Sequence, residues 1–197
     1  MDASTGKVLL QKDMNLQLYP ASTTKILTAI IAIEKLDLTS KLTASRSAIM
    51  AIPSGYSNAG IKVGESLSVN DLLEMFLIHS ANEVGYIFAE EISGNIENFA
   101  NLMNQKATEI GMKNSHFVTP NGLDEDEHYS TAYDMAILTN YALKNQTFRE
   151  IVGTKNTNIS WKGATKNISN TNELLGNYEG VYGVKTGFTF NAGRCLI

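Results

Sequence analysis

The sequence predicts an α/β fold in which a helical lobe is inserted between strand-forming segments, and two observations indicate it. Short β-like segments lie near both ends of the 197-residue chain. Segments with helical periodicity fill the middle, without an internal repeat or a low-complexity linker. The order of strand, helices and strands favours one α/β unit over residues 1–197, with a helical lobe at roughly residues 40–150.

The strand predictions rest on short runs next to turn-forming residues. Residues 7–11 form an apolar run after Ser4-Thr5-Gly6, which predicts a first strand. Near residues 156–168 the pattern becomes polar and β-like. The run at 181–184 predicts a strand that ends at Lys185-Thr186-Gly187.

The helix predictions rest on periodicity and on residues typical of helix ends. From Ser22 to Leu36 apolar residues cover most sides of the predicted helix, which indicates a helix buried nearly all round. Four more helices are predicted at 68–79, 83–92, 96–110 and 131–144. Their predicted caps and stops are Ser68, Thr131, Gly94 and Gly111.

Composition excludes some classes of function. A net charge of −4 without a basic block argues against nucleic-acid binding, because phosphate neutralisation needs clustered Lys and Arg. The lone Cys195 cannot form an internal disulfide and leaves the compartment open. No apolar run reaches the length of a membrane span, and no signal peptide is visible.

The acidic stretch 124–127, followed by His128, could suggest a metal site or a Ser-His-Asp triad with Asp134. It lacks the spacing of zinc-binding histidines and the alternating ligands and glycine of a calcium loop. We predict a solvated surface loop here, with no metal and no cofactor.

Three short motifs together supply the parts of an acyl-transfer site. A serine that opens a helix and a lysine three residues later lie on one helix face, so the amine can act as the base for the hydroxyl. The motifs are Ser22-Thr23-Thr24-Lys25, Ser80-Ala81-Asn82 and Lys185-Thr186-Gly187.

Each motif alone is weak. Ser-x-x-Lys is expected by chance about once in a chain of this length, and Ser4 and Lys7 match it as well. Ser22 could also be an ordinary helix N-cap. The ordered set of three motifs, each next to a suitable element, carries the weight.

With these motifs the sequence resembles the penicillin-binding proteins and class A β-lactamases, and within them the low-molecular-mass D-alanyl-D-alanine carboxypeptidases. The resemblance runs nearly end to end. It includes Asp2-Ala3-Ser4-Thr5-Gly6-Lys7-Val8-Leu9, Pro20-Ala21-Ser22-Thr23-Thr24-Lys25, Asn121-Gly122-Leu123-Asp124, His128-Tyr129-Ser130-Thr131-Ala132 and Gly183-Val184-Lys185-Thr186-Gly187-Phe188-Thr189. It implies the penicillin-binding-protein transpeptidase fold, an antiparallel sheet flanked by helices.

The resemblance gives each motif a chemical role. Ser22 is the expected nucleophile and Lys25 its base, which requires a pKa lowered by burial or by a second cation such as Lys185. Ser80 is expected to relay the proton to the departing nitrogen. Asn82 is expected to hold Lys25 and the substrate amide.

The strand after Lys185 is expected to bind the substrate as an added strand. Thr186 and Lys185 would then face its terminal carboxylate, and Gly187 would allow close backbone approach. By resemblance, the N–H groups of Ser22 and Phe188 form the oxyanion hole.

The implied activity is removal of the terminal D-Ala from peptidoglycan stem peptides, outside the cytoplasm, with β-lactams as covalent inhibitors. Two alternatives stay open. A class A-like β-lactamase would need a Glu-x-x-Leu-Asn glutamate, and the near match at 173–177 lies too close to Lys185. The other is a non-hydrolytic penicillin-binding sensor.

Both ends of the chain resemble cut ends of the family. By resemblance, a signal peptide would precede residue 1, and further strands, a last helix, a β-rich domain and an amphipathic membrane anchor would follow residue 197. We therefore expect a C-terminally truncated fold, low turnover of the isolated chain, and an open strand edge that could pair with another copy.

Overall fold

Helix α1 (Lys25–Lys35) lies at the centre of the molecule. Its residues from Lys25 to Ala32 are all buried, and it packs against five other helices. This confirms the prediction of a helix buried nearly all round. The structure, a computed structural model, describes the backbone of residues 1–197 and the side chains of residues 1–163 and 165–197.

A short 3₁₀ helix precedes α1, and three two-stranded antiparallel sheets pair β1 with β2, β3 with β4, and β5 with β6. In chain order the elements are the 3₁₀ helix Ala21–Thr24, α1 Lys25–Lys35, β1 Lys41–Thr43, α2 Arg46–Met50, β2 Ser66–Ser68, α3 Val69–Leu77, α4 Asn82–Ser93, α5 Ile96–Ile110, α6 Ala132–Ala142, α7 Gln146–Val152, β3 Asn156–Trp161, β4 Ala164–Ser169, β5 Thr186–Thr189 and β6 Gly193–Leu196.

The predicted helix caps are confirmed. The Ser68 hydroxyl accepts from the Asp71 N–H at the start of α3, and the Thr131 hydroxyl accepts from the Asp134 N–H at the start of α6. Gly94 ends α4 with φ of 78° and Gly111 ends α5 with φ of 93°, left-handed values that glycine adopts without strain.

Two strand predictions are wrong. Residues 7–11 are not in a strand, because no backbone hydrogen-bond ladder joins them to any described strand, and Leu9 and Leu10 are 68% and 90% exposed. The run 181–184 is also irregular, and the strand begins at Thr186 instead. An apolar run becomes a strand only where a neighbouring edge offers it partners.

The apolar core lies around α1, α3 and α4, where Phe76 and Phe88 pack edge to face with ring centroids 5.8 Å apart. This core holds the amino-terminal ends of α1 and α4 in place. Of the helices in the described part of the chain, none has both the length and the apolarity that a membrane span requires.

Candidate active site

A groove of about 720 Å³ lies between the 3₁₀ helix, the α3–α4 junction and the β5–β6 hairpin. The predicted site residues that line it are Ser22, Ser80, Asn82, Thr186, Gly187 and Phe188. The other two predicted residues, Lys25 and Lys185, are buried, with exposed fractions of 0% and 1%. The structure thus brings motifs that are far apart in sequence to one groove.

Ser22 lies inside the 3₁₀ helix, one turn before α1. No side-chain hydrogen bond caps either helix, so the interpretation of Ser22 as an N-cap is wrong. Ala21 adopts φ of 47°, a left-handed value that is uncommon for a residue with a side chain. The Thr23 hydroxyl donates to the Pro20 carbonyl at 2.6 Å and stabilises this tight turn.

Two glycines allow the 3₁₀ helix to fit between its neighbours. A Cβ at Gly122 would lie 1.8 Å from the Ala21 carbonyl oxygen, and a Cβ at Gly187 would lie 2.9 Å from the Ser22 nitrogen. No side chain fits at either position without moving the backbone. The glycine of the Lys-Thr-Gly motif therefore lets β5 approach the Ser22 amide directly.

The Lys25 amine lies among three oxygen atoms. Its Nζ is 2.8 Å from Ser22 Oγ, 2.7 Å from Asn82 Oδ1 and 2.7 Å from the Asn121 carbonyl oxygen. The Phe76 ring lies below it, with the centroid 5.5 Å from Nζ. The amine is thereby fixed in position beside the serine.

The environment of Lys25 disfavours its charged form. Burial lowers the pKa of Lys25 well below its usual value, the Lys185 ammonium lowers it further, and the Glu83 carboxylate opposes both. A neutral lysine amine has a lone pair and can accept a proton. The site can therefore supply a base near neutral pH.

Lys185 is the second buried cation. Burial lowers the pKa of Lys185 to about 7, and its Nζ donates to the Thr186 carbonyl at 2.8 Å. Its amine therefore lies beside the first residue of β5, and Lys185 is not among the described residues that line the groove. Lys185 thus acts on Lys25 through its charge.

Asn82 and Ser80 meet the groove at the α3–α4 junction. Both the backbone N–H and the side-chain amino group of Asn82 donate to the Ser57 carbonyl, at 3.0 and 2.9 Å, which turns its Oδ1 toward Lys25. Ser80 has a left-handed φ of 63° and is 8% exposed. No hydrogen bond joins its hydroxyl to another described residue.

Strand β5 offers backbone groups on the side away from β6. Lys185 and Ile197 exchange two backbone hydrogen bonds at 3.1 and 3.0 Å. In an antiparallel pair such pairs alternate with non-bonded ones, so the N–H and C=O groups of Thr186 and Phe188 point away from β6. No described strand pairs with that edge.

Sequence reasoning missed two contributors because both act through backbone carbonyls. Asn121 accepts from Lys25, and Ser57 accepts from Asn82. Asn121 belongs to a segment of the resemblance, yet nothing in its residue type indicates that its main-chain oxygen is the functional atom. The segment around Ser57 carries no motif.

The prediction of a solvated loop at 124–128 is correct for 125–127, which are exposed, and wrong for His128. His128 is 1% exposed, and its Nδ1 accepts from the N–H groups of Val118 and Thr119. Its Nε2 therefore carries the proton and donates to Thr24 Oγ1 at 2.9 Å. Burial lowers the pKa of His128 to about 4.

Known proteins are similar to this chain in sequence and in fold. A family profile described as D-alanyl-D-alanine carboxypeptidase matches residues 1–197. The D-alanyl-D-alanine carboxypeptidase DacF of Bacillus subtilis is 40% identical over 100% of this chain and 51% of its own length. DacB2 of Mycobacterium tuberculosis is 34% identical over 98% of this chain and 65% of its own length. The chain therefore spans about half to two thirds of these relatives.

Among solved structures, the DD-transpeptidase of Streptomyces K15 superposes with a TM-score of 0.92 at 31% identity. The match covers 100% of this chain and 80% of the other. This similarity confirms the fold class predicted from the sequence.

Proposed function

The chain belongs to the D-alanyl-D-alanine carboxypeptidase family, and on that premise we propose that its protein is a serine-type carboxypeptidase. It removes the terminal D-Ala from peptidoglycan stem peptides through an acyl-enzyme on Ser22. The observation that carries the proposal is the 2.8 Å contact between Ser22 Oγ and the amine of a fully buried Lys25.

The neighbours of Lys25 support its role as the base. Asn82 Oδ1 and the Asn121 carbonyl accept hydrogen bonds and cannot donate them. A neutral Lys25 amine gives its two N–H groups to these oxygens, and its lone pair is left facing Ser22 Oγ. The hydroxyl proton then passes to Lys25 as Ser22 attacks the carbonyl carbon of the penultimate D-Ala.

The open edge of β5 supports a binding mode for the peptide. The substrate pairs with Thr186 and Phe188 as an added strand, and its terminal carboxylate lies near Lys185 and Thr186. The oxyanion that forms is stabilised by the N–H groups of Ser22 and Phe188, and losing one such donor typically costs about two to three orders of magnitude in rate. Gly187 provides the required close approach.

Collapse of the tetrahedral intermediate needs a proton on the leaving nitrogen. We assign this transfer to Ser80, which passes the proton from Lys25 to the departing D-Ala as the C–N bond breaks. Its position on the groove lining supports the assignment. The second N–H of Asn82 Nδ2 holds the substrate amide. Water then attacks the Ser22 ester, and Lys25 takes its proton.

The substrate and the inhibitors follow from this chemistry. Stem peptides of peptidoglycan are the substrate, and β-lactams, which carry a reactive amide and a carboxylate, acylate Ser22. The protein acts outside the cytoplasm, at the outer face of the membrane.

Residues at roughly 40–150 form the helical lobe that supplies Ser57, Ser80 and Asn82 to the groove, opposite β5.

Incubation with a fluorescent penicillin, followed by intact mass, tests the proposal. We expect one covalent adduct that Ser22→Ala abolishes. Ser4→Ala is the matched control, because Ser4 belongs to the second Ser-x-x-Lys match but its hydroxyl donates to Asp2 at an exposed turn. If the wild type is not labelled, or if Ser22→Ala is still labelled, the assignment of Ser22 as the nucleophile is refuted.

Release of D-Ala then distinguishes the activities. We expect release from a pentapeptide that ends in D-Ala-D-Ala and none from the same peptide ending in L-Ala-L-Ala. A stable adduct without D-Ala release would indicate a sensor, and rapid penicillin hydrolysis would indicate a β-lactamase.

A further inference from the structure

The segment 53–60 forms one wall of the groove, and side chains distant in sequence hold it there. Most of its residues are exposed, and Tyr56 and Ser57 face the groove. Its one buried residue is Ala59, which is 3% exposed. A mostly exposed segment keeps one conformation only where specific contacts fix it.

Both backbone groups of Ala59 bind side chains. Its N–H donates to Glu83 Oε1 at 2.7 Å, and its carbonyl accepts from Lys166 Nζ at 2.6 Å. Glu83 lies on α4 and Lys166 lies on β4, so two separate elements hold the two backbone groups of one residue. We call this pair of contacts the Ala59 clamp.

Two residues before the clamp, the Ser57 carbonyl accepts hydrogen bonds from the backbone N–H and from one side-chain N–H of Asn82. An amide side chain has a donor end and an acceptor end, so this contact determines which end faces Lys25. With the amino group held by Ser57, the oxygen Oδ1 points at Nζ. A shift of Ser57 would release Asn82 from that orientation.

The Glu83 carboxylate lies in an environment that is unfavourable for a charged group. It is 2% exposed, and its Oε2 is buried without a hydrogen-bond partner among the described residues. Burying a polar atom without a partner costs free energy, which the clamp contact must offset. A carboxylate makes a charge-assisted and therefore stronger bond to the Ala59 N–H.

We propose that Glu83 and Lys166 are positioning residues that act on the base Lys25 through Ala59, Ser57 and Asn82. This inference rests on the proposed function, because it assigns the clamp to acylation of Ser22. Neither residue touches the substrate. Their effect is to keep Asn82 turned toward Lys25 when the groove is occupied.

The test measures the rate constant of Ser22 labelling by a fluorescent penicillin at saturation, and separately the fraction labelled at completion. We expect Glu83→Ala to slow labelling by about tenfold to a hundredfold, as small displacements of reacting groups do, while the final labelled fraction is unchanged. Glu83→Gln keeps an oxygen acceptor for Ala59 and removes the charge that raises the pKa of Lys25, which favours the neutral base, so it should be no more than about threefold slower than wild type. Glu91→Ala, an exposed glutamate on the same helix, is the control.

Lys166→Met provides a second variant on the other side of the clamp, with the exposed Lys155→Met as its control. We expect it to slow labelling as well. If both residues act through Ala59, the double variant should be no more than about threefold slower than Glu83→Ala, because effects on one shared element do not add. If the rate reductions of the two single variants multiplied fully in the double variant, the proposal that both residues act through Ala59 would be overturned.

Hydrogen exchange at the Asn82 amide, which donates to Ser57, reads the clamp without any catalysis. We expect its protection to fall in Glu83→Ala and Lys166→Met and to persist in Glu83→Gln. The proposal would be overturned if Glu83→Ala and Lys166→Met kept the wild-type protection of the Asn82 amide or the wild-type labelling rate. It would also be overturned if these variants lowered only the final labelled fraction. If wild-type protein does not label at all, the proposed function fails, and the exchange result alone decides on the clamp.

Discussion

Lys25 and Lys185 are two buried lysines close enough that the charge of one lowers the pKa of the other. This relationship assigns them different forms below about pH 7, where Lys185 carries its charge. Lys25 is the lysine that favours its neutral form, because both burial and the neighbouring Lys185 cation lower its pKa. Lys185 remains the charged partner up to a pKa of about 7.

The first prediction concerns the pH dependence of Ser22 labelling. Burial lowers the pKa of Lys185 to about 7, so its charge is present below that pH and is lost above it. With a carboxylate-bearing penicillin, the second-order labelling rate should fall as pH rises through about 7. In Lys185→Arg, where the guanidinium stays charged, this fall should disappear. A wild-type rate that keeps rising to pH 9 would contradict the assignment.

The second prediction concerns acid stability. The pKa of His128 is lowered by burial from 6.5 to about 4, so between these values the unfolded chain binds a proton that the folded protein does not. The folded state therefore loses stability as pH falls through this window, by up to about 3 kcal/mol. Urea unfolding of His128→Gln should show a flatter pH dependence between pH 6.5 and 4.

Exposed His116 offers the matched control for this effect. His116→Gln should keep most of the wild-type pH dependence, because burial is the larger cause of the lowered pKa of His128 and the charge of His116 is the smaller one. Equal slopes for wild type and His128→Gln would mean that His128 is already protonated in the folded protein, against its two accepted backbone hydrogen bonds.

The third prediction concerns Gly122, which packs against Ala21, the residue before the nucleophile. An alanine Cβ at Gly122 would lie 1.8 Å from the Ala21 carbonyl oxygen, at φ of 83°. We expect Gly122→Ala to lower the free energy of unfolding by about 3 kcal/mol or more, because the backbone must move. Ser22 labelling should slow, since Ala21 precedes the nucleophile.

Gly94 is the control for this substitution, with a similar φ of 78° but open space around its Cβ. Gly94→Ala should cost only about 1 kcal/mol and leave labelling unchanged. Similar losses in the two variants would show that φ, and not the contact with Ala21, decides the cost.

The fourth prediction concerns Thr28, which holds the segment that carries Asn121. The Thr28 hydroxyl donates to the Pro120 carbonyl at 2.6 Å, one residue before the carbonyl that binds Lys25. Thr28→Val leaves that carbonyl without its partner and should cost about 1 to 3 kcal/mol in urea unfolding. Ser22 labelling should slow in parallel, whereas Thr28→Ser should retain the labelling rate.

Much of the fold could be predicted where local signals agree with tertiary packing. Helix α1 is apolar on most sides and is buried on most sides, and the caps at Ser68 and Thr131 form as their residue types favour. The short helices α2 and α7 were not predicted, because five and seven residues give too few turns for a periodic pattern. The strand predicted at 7–11 is not formed, because a strand also needs a neighbouring strand edge to pair with, and the residues of the run do not reveal whether one is present.

The site was predictable in its side chains and not in its main chain. Ser22, Lys25 and Asn82 belong to motifs whose residue types carry the chemistry. The carbonyls of Ser57 and Asn121 and the buried state of His128 depend on how distant segments meet. A backbone oxygen has the same composition at every residue, so no sequence pattern distinguishes the two that matter.

If β-lactams acylate Ser22 as proposed, the contact between Lys25 and the Asn121 carbonyl has a consequence for the ways in which that sensitivity could be lost. A peptide oxygen is present whichever amino acid occupies the position, so no single codon change deletes this partner of the amine. Resistance that arises by disabling the base would have to alter Lys25 itself, replace Asn82, or displace a whole stretch of chain. Each of those routes would also impair the proposed release of D-Ala, which uses the same base.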